Sequence, residues 1–195
     1  MLSVSFLEMR GISKSYRVTQ ALRTVDFSAE SGEVHAIVGE NGAGKSTLVK
    51  ILAGAVQRDS GEILLDGEPV AVDTPIDARR LGIYAVYQEF SLVPHLSVTE
   101  NILMGQMPTG RWKWWLNWPQ AHQEAHGILA SLGFPDLDVR KPVSQLSVSH
   151  QQVVEIAKAV SGRPRILILD EPSAVLSQEE IKYLFELMKK LKEQS

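Results

Sequence analysis

Apolar residues along this chain follow two different spacings. Unbroken runs occur at Glu33-Val34-His35-Ala36-Ile37-Val38 and at Arg165-Ile166-Leu167-Ile168-Leu169-Asp170-Glu171, and they predict short strands buried inside a sheet, the second on both faces. Ser60 to Val70 predicts a hairpin turning at Asp66-Gly67, because both turn positions of such a hairpin need positive φ. With the alternating stretch Val25–Ala29 it suggests a small antiparallel sheet. Ile83 to Tyr87 predicts one more strand, ending at Gln88. Helical spacing takes over elsewhere. In Thr47–Ala53 the residues Leu48, Ile51 and Leu52 share a face, and Gly54 is a stop signal. Ser97-Val98-Thr99-Glu100 is a capping box, and from there to about Val160 the pattern is mainly helical. Ser149-His150-Gln151-Gln152 fits a second box, followed by a face of Val153, Val154, Ile156, Ala157 and Val160. A last helix, capped by Ser177 with Glu180, would carry Ile181, Leu184, Phe185, Leu187, Met188 and Leu191 as its stripe.

Between the first run and the first helix lies Gly39-Glu40-Asn41-Gly42-Ala43-Gly44-Lys45-Ser46, followed by Thr47. This is a complete G-x-x-x-x-G-K-[ST] loop in a strand–loop–helix setting. Backbone N–H groups of such a loop form a nest for phosphate at a helix N-terminus. Lys45 would reach the β and γ phosphates, and the Ser46 hydroxyl would hold Mg²⁺. The plain alternative is a Gly-rich turn that merely starts a helix. At the end of the distant apolar run, Asp170 would take Mg²⁺ through water. Glu171 stands where a general base could polarise water attacking the γ-phosphate. Here the alternative is a strand ending in solvated acids.

Composition narrows the classes without naming one. The chain has 195 residues, enough for one domain with a lobe inserted into it. Its net charge of −3 and lack of a basic block argue against a general nucleic-acid binder. Having no cysteine removes disulfides, thiol nucleophiles and cysteine metal sites. No apolar run approaches the length of a membrane span, and the N-terminus lacks a signal-peptide pattern.

Taken together, these residues resemble the nucleotide-binding domain of ATP-binding cassette transporters, over essentially the whole chain. The stretches that carry the likeness are Leu7–Lys14, Gly32–Ala36, Gly39–Thr47, Tyr87-Gln88-Glu89, Leu96-Ser97-Val98, Glu100-Asn101-Ile102, Leu146-Ser147 and Ile166–Pro172. Within that family the chain is similar to the N-terminal cassette of ATPases that drive bacterial uptake of ribose, galactose, xylose and related sugars. The resemblance implies an α/β fold: a phosphate-loop (RecA/F1-like) nucleotide-binding core with a small antiparallel β subdomain and an inserted α-helical subdomain. Residues 1–195 would be a single domain, with 1–90 and 161–195 forming the core and β subdomain and 91–160 the helical subdomain. ATP with Mg²⁺ is the implied ligand. Tyr16 would stack on adenine, an interaction worth about 1–3 kcal/mol in other sites, or else be an ordinary half-buried strand tyrosine. Gln88 would touch Mg²⁺ and the attacking water, or be a polar strand end. Ser147 would open the family signature, which caps the γ-phosphate held by a second cassette. Membrane-spanning permease subunits and, indirectly, a solute-binding protein are the implied partners, at the cytoplasmic face of the inner membrane. Nucleic acid is not among them. The other readings are a soluble cassette ATPase acting on ribosomes or DNA, and a nucleotide-binding regulatory module that does not hydrolyse ATP.

Several positions depart from the family pattern. The signature reads Leu146-Ser147-Val148-Ser149-His150 in place of Leu-Ser-Gly-Gly-Gln. Ser177 stands where many cassettes carry an aspartate. The chain stops at Ser195 before the strand and histidine that the family places next, so a C-terminally truncated cassette, a piece of a longer protein or an early stop, is expected. All four tryptophans fall in Arg111-Trp112-Lys113-Trp114-Trp115-Leu116-Asn117-Trp118. They would either meet a membrane subunit or lipid headgroups, or pack onto the helical lobe. The stretch Glu89-Phe90-Ser91-Leu92 is the first guess for the permease contact. His122 and His126, at i and i+4, have a metal-ligand spacing or simply line a solvated helix face.

Overall fold

The computed structural model describes residues 6–87, 90–109 and 115–170, together with 181, 185, 186, 188–190 and 192. Gln88, Glu89, Glu171, Ser177, Trp112 and Trp114 lie outside the described residues. The chain divides into two compact units, Met1–Tyr84 with Met188–Ser195, and Ala85–Leu187.

In the first unit, β1 (Leu7–Tyr16), β2 (Thr19–Ala29), β3 (Ser60–Leu65) and β4 (Glu68–Val70) form an antiparallel sheet in the order β2-β1-β3-β4. Leu7, Met9 and Ile12 of β1 alternate with more exposed neighbours, as a half-buried strand must. The β3–β4 turn falls at Asp66 and Gly67 with φ of 53° and 81°, the pair of positive angles that the Asp-Gly sequence predicts. Helix α1 (Lys45–Leu52) lies against β2 and buries Leu48, Ile51 and Leu52. It ends where predicted: Gly54 turns left-handed at φ 70°, and a Cβ there would come within 2.2 Å of the Thr74 carbonyl oxygen. Thr74 opens α2 (Pro75–Arg80) with a full capping box to Asp77.

The apolar run at 33–38 departs from expectation. Residues 33–40 adopt no strand or helix, and Val34, Ile37 and Val38 are exposed, Val38 by 89%. A strand needs a neighbour to receive its N–H and C=O groups, and no ladder reaches this run among the described residues.

The second unit is built mainly from α3 (Val98–Ile102), α4 (Trp118–Ser131) and α5 (Val148–Ser161), with a 3₁₀ turn at Val143–Gln145. Ser97 caps α3 through the predicted box with Glu100. Asn117 caps α4 by accepting from the Gln120 amide. The cap of α5 is Ser147 and not Ser149: the Ser147 hydroxyl accepts from His150 N–H, and the helix begins at Val148. Its buried face holds Val154, Ile156 and Ala157 as predicted, but also Gln152 and Glu155, while Val153 and Val160 are half-exposed. Strand β5 (Ile83–Val86) and strand β6 (Ile166–Leu169) make a two-stranded sheet. Only Ile168 of β6 is buried, so this strand is not covered on both faces. The described residues between 181 and 192 are helical. Phe185 is 63% exposed there.

Candidate nucleotide site

The phosphate-loop residues sit together in the first unit. Glycines at 42 and 44 take φ of 85° and 90°, so the loop winds through left-handed backbone. Gly44 has a second constraint: a Cβ would lie 2.5 Å from the Ala21 carbonyl oxygen and 2.7 Å from Leu22 Cδ2. The loop is thus seated on β2, in the hairpin whose other strand ends at Tyr16, paired with Thr19. A turn closes from Ala43 N–H to the Glu40 carbonyl at 3.1 Å. Lys45 Nζ donates to the Gly39 and Glu40 carbonyls at 2.5 and 2.9 Å, which folds the ammonium group back over the loop.

At the head of α1, Gly44 is the cap residue and no side chain satisfies the first turn. The first helical bond runs from Leu48 N–H to the Gly44 carbonyl. The amides of Lys45, Ser46 and Thr47 precede it and carry the positive end of the helix dipole. Glu40, Asn41, Gly42, Ala43 and Ser46 are exposed, so this donor set is open to solvent. Free amides, one ammonium group and one hydroxyl fit an anionic phosphate chain. The Ser46 hydroxyl oxygen is a donor type that suits a hard cation such as Mg²⁺. Among the described residues, no three His, Asp or Glu side chains gather as a metal cluster of their own.

Tyr16 ends β1 with 44% exposure, as a stacking platform requires. Lys14 Nζ lies 5.7 Å from its ring centroid, and Asp59 holds that ammonium at 2.7 Å. The Lys14 hydrogen bond, with Ser15 N–H also donating, keeps the Asp59 carboxyl below the ordinary aspartate value. Sequence reading missed Lys14 and Asp59, since nothing local links residues this far apart.

In the second unit, Asp170 follows β6 and donates its N–H to the Val86 carbonyl at 2.9 Å, which fixes the backbone from which its carboxylate springs. Ser147 Oγ lies 3.0 Å from Ser149 Oγ and 3.2 Å from His150 Nδ1. The His150 ring in turn meets Phe134 edge-on at 6.4 Å. The signature serine is therefore engaged with its own helix turn. His122 is tied to Thr99 and is no free ligand. Thr99 Oγ1 donates to the Val139 carbonyl and so accepts from His122 Nδ1, each at 2.9 Å, while Trp118 leans on the same imidazole. Trp115 is 76% exposed, which removes it from the packing alternative.

Sequence reading also missed a polar knot on α5. Glu155, only 5% exposed, accepts from both the N–H and the hydroxyl of Ser91, and Lys158 donates to the Ser91 hydroxyl and carbonyl. The signal was available: Gln152 and Glu155 interrupt the apolar face of a helix one turn apart. Gln152 Nε2 is buried and has no hydrogen-bond partner among the described residues.

A phosphate loop seated on an antiparallel hairpin, with a separate helical unit carrying a serine-capped helix, is the architecture of an ATP-binding cassette. The family model described as ABC transporter matches residues 22–174; the chain belongs to this family. It is 50% identical over 188 residues to the ribose import ATP-binding protein RbsA 1 of Rubrobacter xylanophilus, covering 96% of this chain and 37% of that protein. A putative ribose/galactose/methyl galactoside import ATP-binding protein of Burkholderia ambifaria is 46% identical, over 96% of this chain and 36% of its own length. The chain thus spans little more than a third of the relatives it matches. Among solved structures, an ATP-binding cassette of an ABC transporter in its ADP conformation superposes with a TM-score of 0.84 at 25% identity, over 98% of this chain and 78% of that one. A cassette in a dimeric post-hydrolysis state, bound to ADP and Pi, matches the fold with a TM-score of 0.80 at 24% identity, over 96% of this chain and 83% of that one. The expected fold class and family are borne out.

Proposed function

We propose that this chain is the nucleotide-binding part of an ATPase that energises import of a sugar or related small solute. The observation that carries the reading is the uncapped head of α1 beneath the Gly39–Thr47 loop. Backbone donors left open to solvent at that place can be satisfied by the oxygens of a triphosphate. Lys45 would leave the Gly39 and Glu40 carbonyls to neutralise phosphate oxygens, Tyr16 would stack on the base, and Ser46 with Asp170 would hold Mg²⁺. The metal, when bound, neutralises charge on the transferring phosphoryl group. Gln88 would orient water and Glu171 would polarise it. Relatives named for ribose and galactose import support the solute class. That naming also supports permease subunits as partners and a peripheral place on the cytoplasmic membrane face. No helix among the described residues is long and apolar enough to cross a membrane. The dimeric cassette among the structural neighbours supports a second cassette as a partner.

A second reading, a nucleotide sensor without turnover, draws on the Ser147–Ser149–His150 contacts, which occupy the signature serine. The test is steady-state hydrolysis by the full-length protein with and without Glu171→Gln. Turnover that falls by about 100-fold or more with ATP binding kept would support the ATPase reading. Absence of turnover in both, with tight binding in both, would favour the sensor.

A further inference from the structure

The knot on α5 joins two parts of the site that sequence separates widely. Every polar group of Ser91 is held from one helix. Its N–H donates to Glu155 Oε2 at 3.1 Å and its hydroxyl to Glu155 Oε1 at 2.5 Å. From the next turn, Lys158 Nζ donates to the Ser91 carbonyl at 3.0 Å and to the Ser91 Oγ at 2.9 Å. The Ser91 hydroxyl gives to a carboxylate and accepts from an ammonium group at a single atom, a pairing that threonine could also make. Glu155 is buried on the apolar face of its helix. A buried carboxylate is costly unless it is well bonded. Since an apolar residue would serve packing alone, this expenditure points to a positional role.

Two residues further on, the same segment is gripped again. Asn101, fully buried in α3, accepts from Val93 N–H and donates to the carbonyls of Val93, Leu96 and Ser97. The segment is therefore fixed at Ser91 by α5 and at Val93–Ser97 by α3, and these two helices pack on one another. Ser91 stands three residues after Gln88, and α5 is the helix that Ser147 caps.

We propose that Glu155 and Lys158 are positioning residues for hydrolysis. Through Ser91 they hold the segment leaving Gln88 in fixed register with the helix that begins at the signature serine. The two ends of the segment then move with α3 and α5 as one body. This inference rests on the proposed role of Gln88 in activating water.

The test measures ATP turnover and ATP binding of the full-length protein in Gln88→Ala, Ser91→Ala, Lys158→Met, Ser91→Thr and the double variant Ser91→Ala/Lys158→Met. The share of turnover that Gln88→Ala removes is the share belonging to this site. Of that share, Ser91→Ala and Lys158→Met are each expected to lose about tenfold in kcat with KM for ATP unchanged when assayed well below Tm. Ser91→Ala also lowers Tm, because it takes a hydroxyl donor from the buried Glu155 carboxylate. The double variant should be no worse than either single one, and Ser91→Thr should restore the rate. Full turnover in Ser91→Ala beside a strong loss in Gln88→Ala would overturn the inference while leaving the hydrolytic reading intact. Losses that disappear when each variant is assayed well below its own Tm, or that multiply in the double variant, would overturn it too. No loss in Gln88→Ala would remove the reading beneath it.

Discussion

Two helix heads in this protein face opposite ways in their chemistry. At α1 the cap residue is a glycine with no side chain, and the first amides are left open. At α5 the cap is Ser147, whose hydroxyl accepts from His150 N–H and touches Ser149 and the His150 ring. Both heads carry the same dipole, so charge alone does not decide which binds phosphate. What differs is whether the protein has already satisfied its own donors. The α1 head is built at a cost, through left-handed glycines and a loop pressed onto Ala21 and Leu22. A helix terminus with open amides beside a glycine loop is suited to an anionic ligand. The α5 head is stable by itself.

The sharpest way to break this contrast is Gly44→Ala. Left-handed backbone alone costs an alanine roughly 1–2 kcal/mol, and the added Cβ would strike the Ala21 carbonyl oxygen at 2.5 Å. Loss of ATP binding together with a lowered Tm, seen by calorimetry, is the expected outcome. Ser147→Ala is the matching change at the other head. It should cost about 1 kcal/mol of stability as a lost cap and leave ATP binding by the chain intact, with denaturant unfolding and titration as the paired readouts. A smaller effect is expected at Gln152, whose buried Nε2 has no acceptor among the described residues. Gln152→Met removes that donor at similar volume, so chemical denaturation should show unchanged or slightly raised stability.

The smallest effect concerns Asp59, which supports the lysine over Tyr16. Its pKa is depressed below the ordinary aspartate value, first by the Lys14 hydrogen bond and then by Ser15 N–H. A depressed carboxyl stabilises the fold above its unfolded pKa, and that contribution is lost as pH falls through the folded value. Stability of the native protein should therefore decline below about pH 4 more steeply than that of Asp59→Asn. The two acid limbs of a pH-dependent unfolding series would show it.

Legibility in the sequence followed the range of the interactions. The phosphate loop, the Leu48-Ile51-Leu52 face, the Asp66-Gly67 turn and the Ser97 box are local, and each formed where its pattern placed it. The cap of α5 was misread because two serines two residues apart both satisfy a simple cap rule. The serine at 147 has the extended backbone, φ −62° and ψ 157°, that a cap requires. The run Val34–Val38 reads as a strand by composition, yet a strand exists only with a neighbour, and composition cannot supply one. The Ser91–Glu155 clamp and the Asp59–Lys14–Tyr16 chain are non-local. A charged residue amid Val154, Ile156 and Ala157 was the one trace of the first, and the second left none.

The most direct measurement is calorimetric titration with ATP and Mg²⁺ of the chain and of Lys45→Ala, both verified as folded by circular dichroism. The account predicts saturable binding at one site by the native chain and a loss of affinity of about 100-fold or more in the variant, as expected when a charge-assisted contact to phosphate is removed. Equal affinity in the two, or no binding by a folded native chain, would contradict the claim that the open head of α1 is a phosphate site.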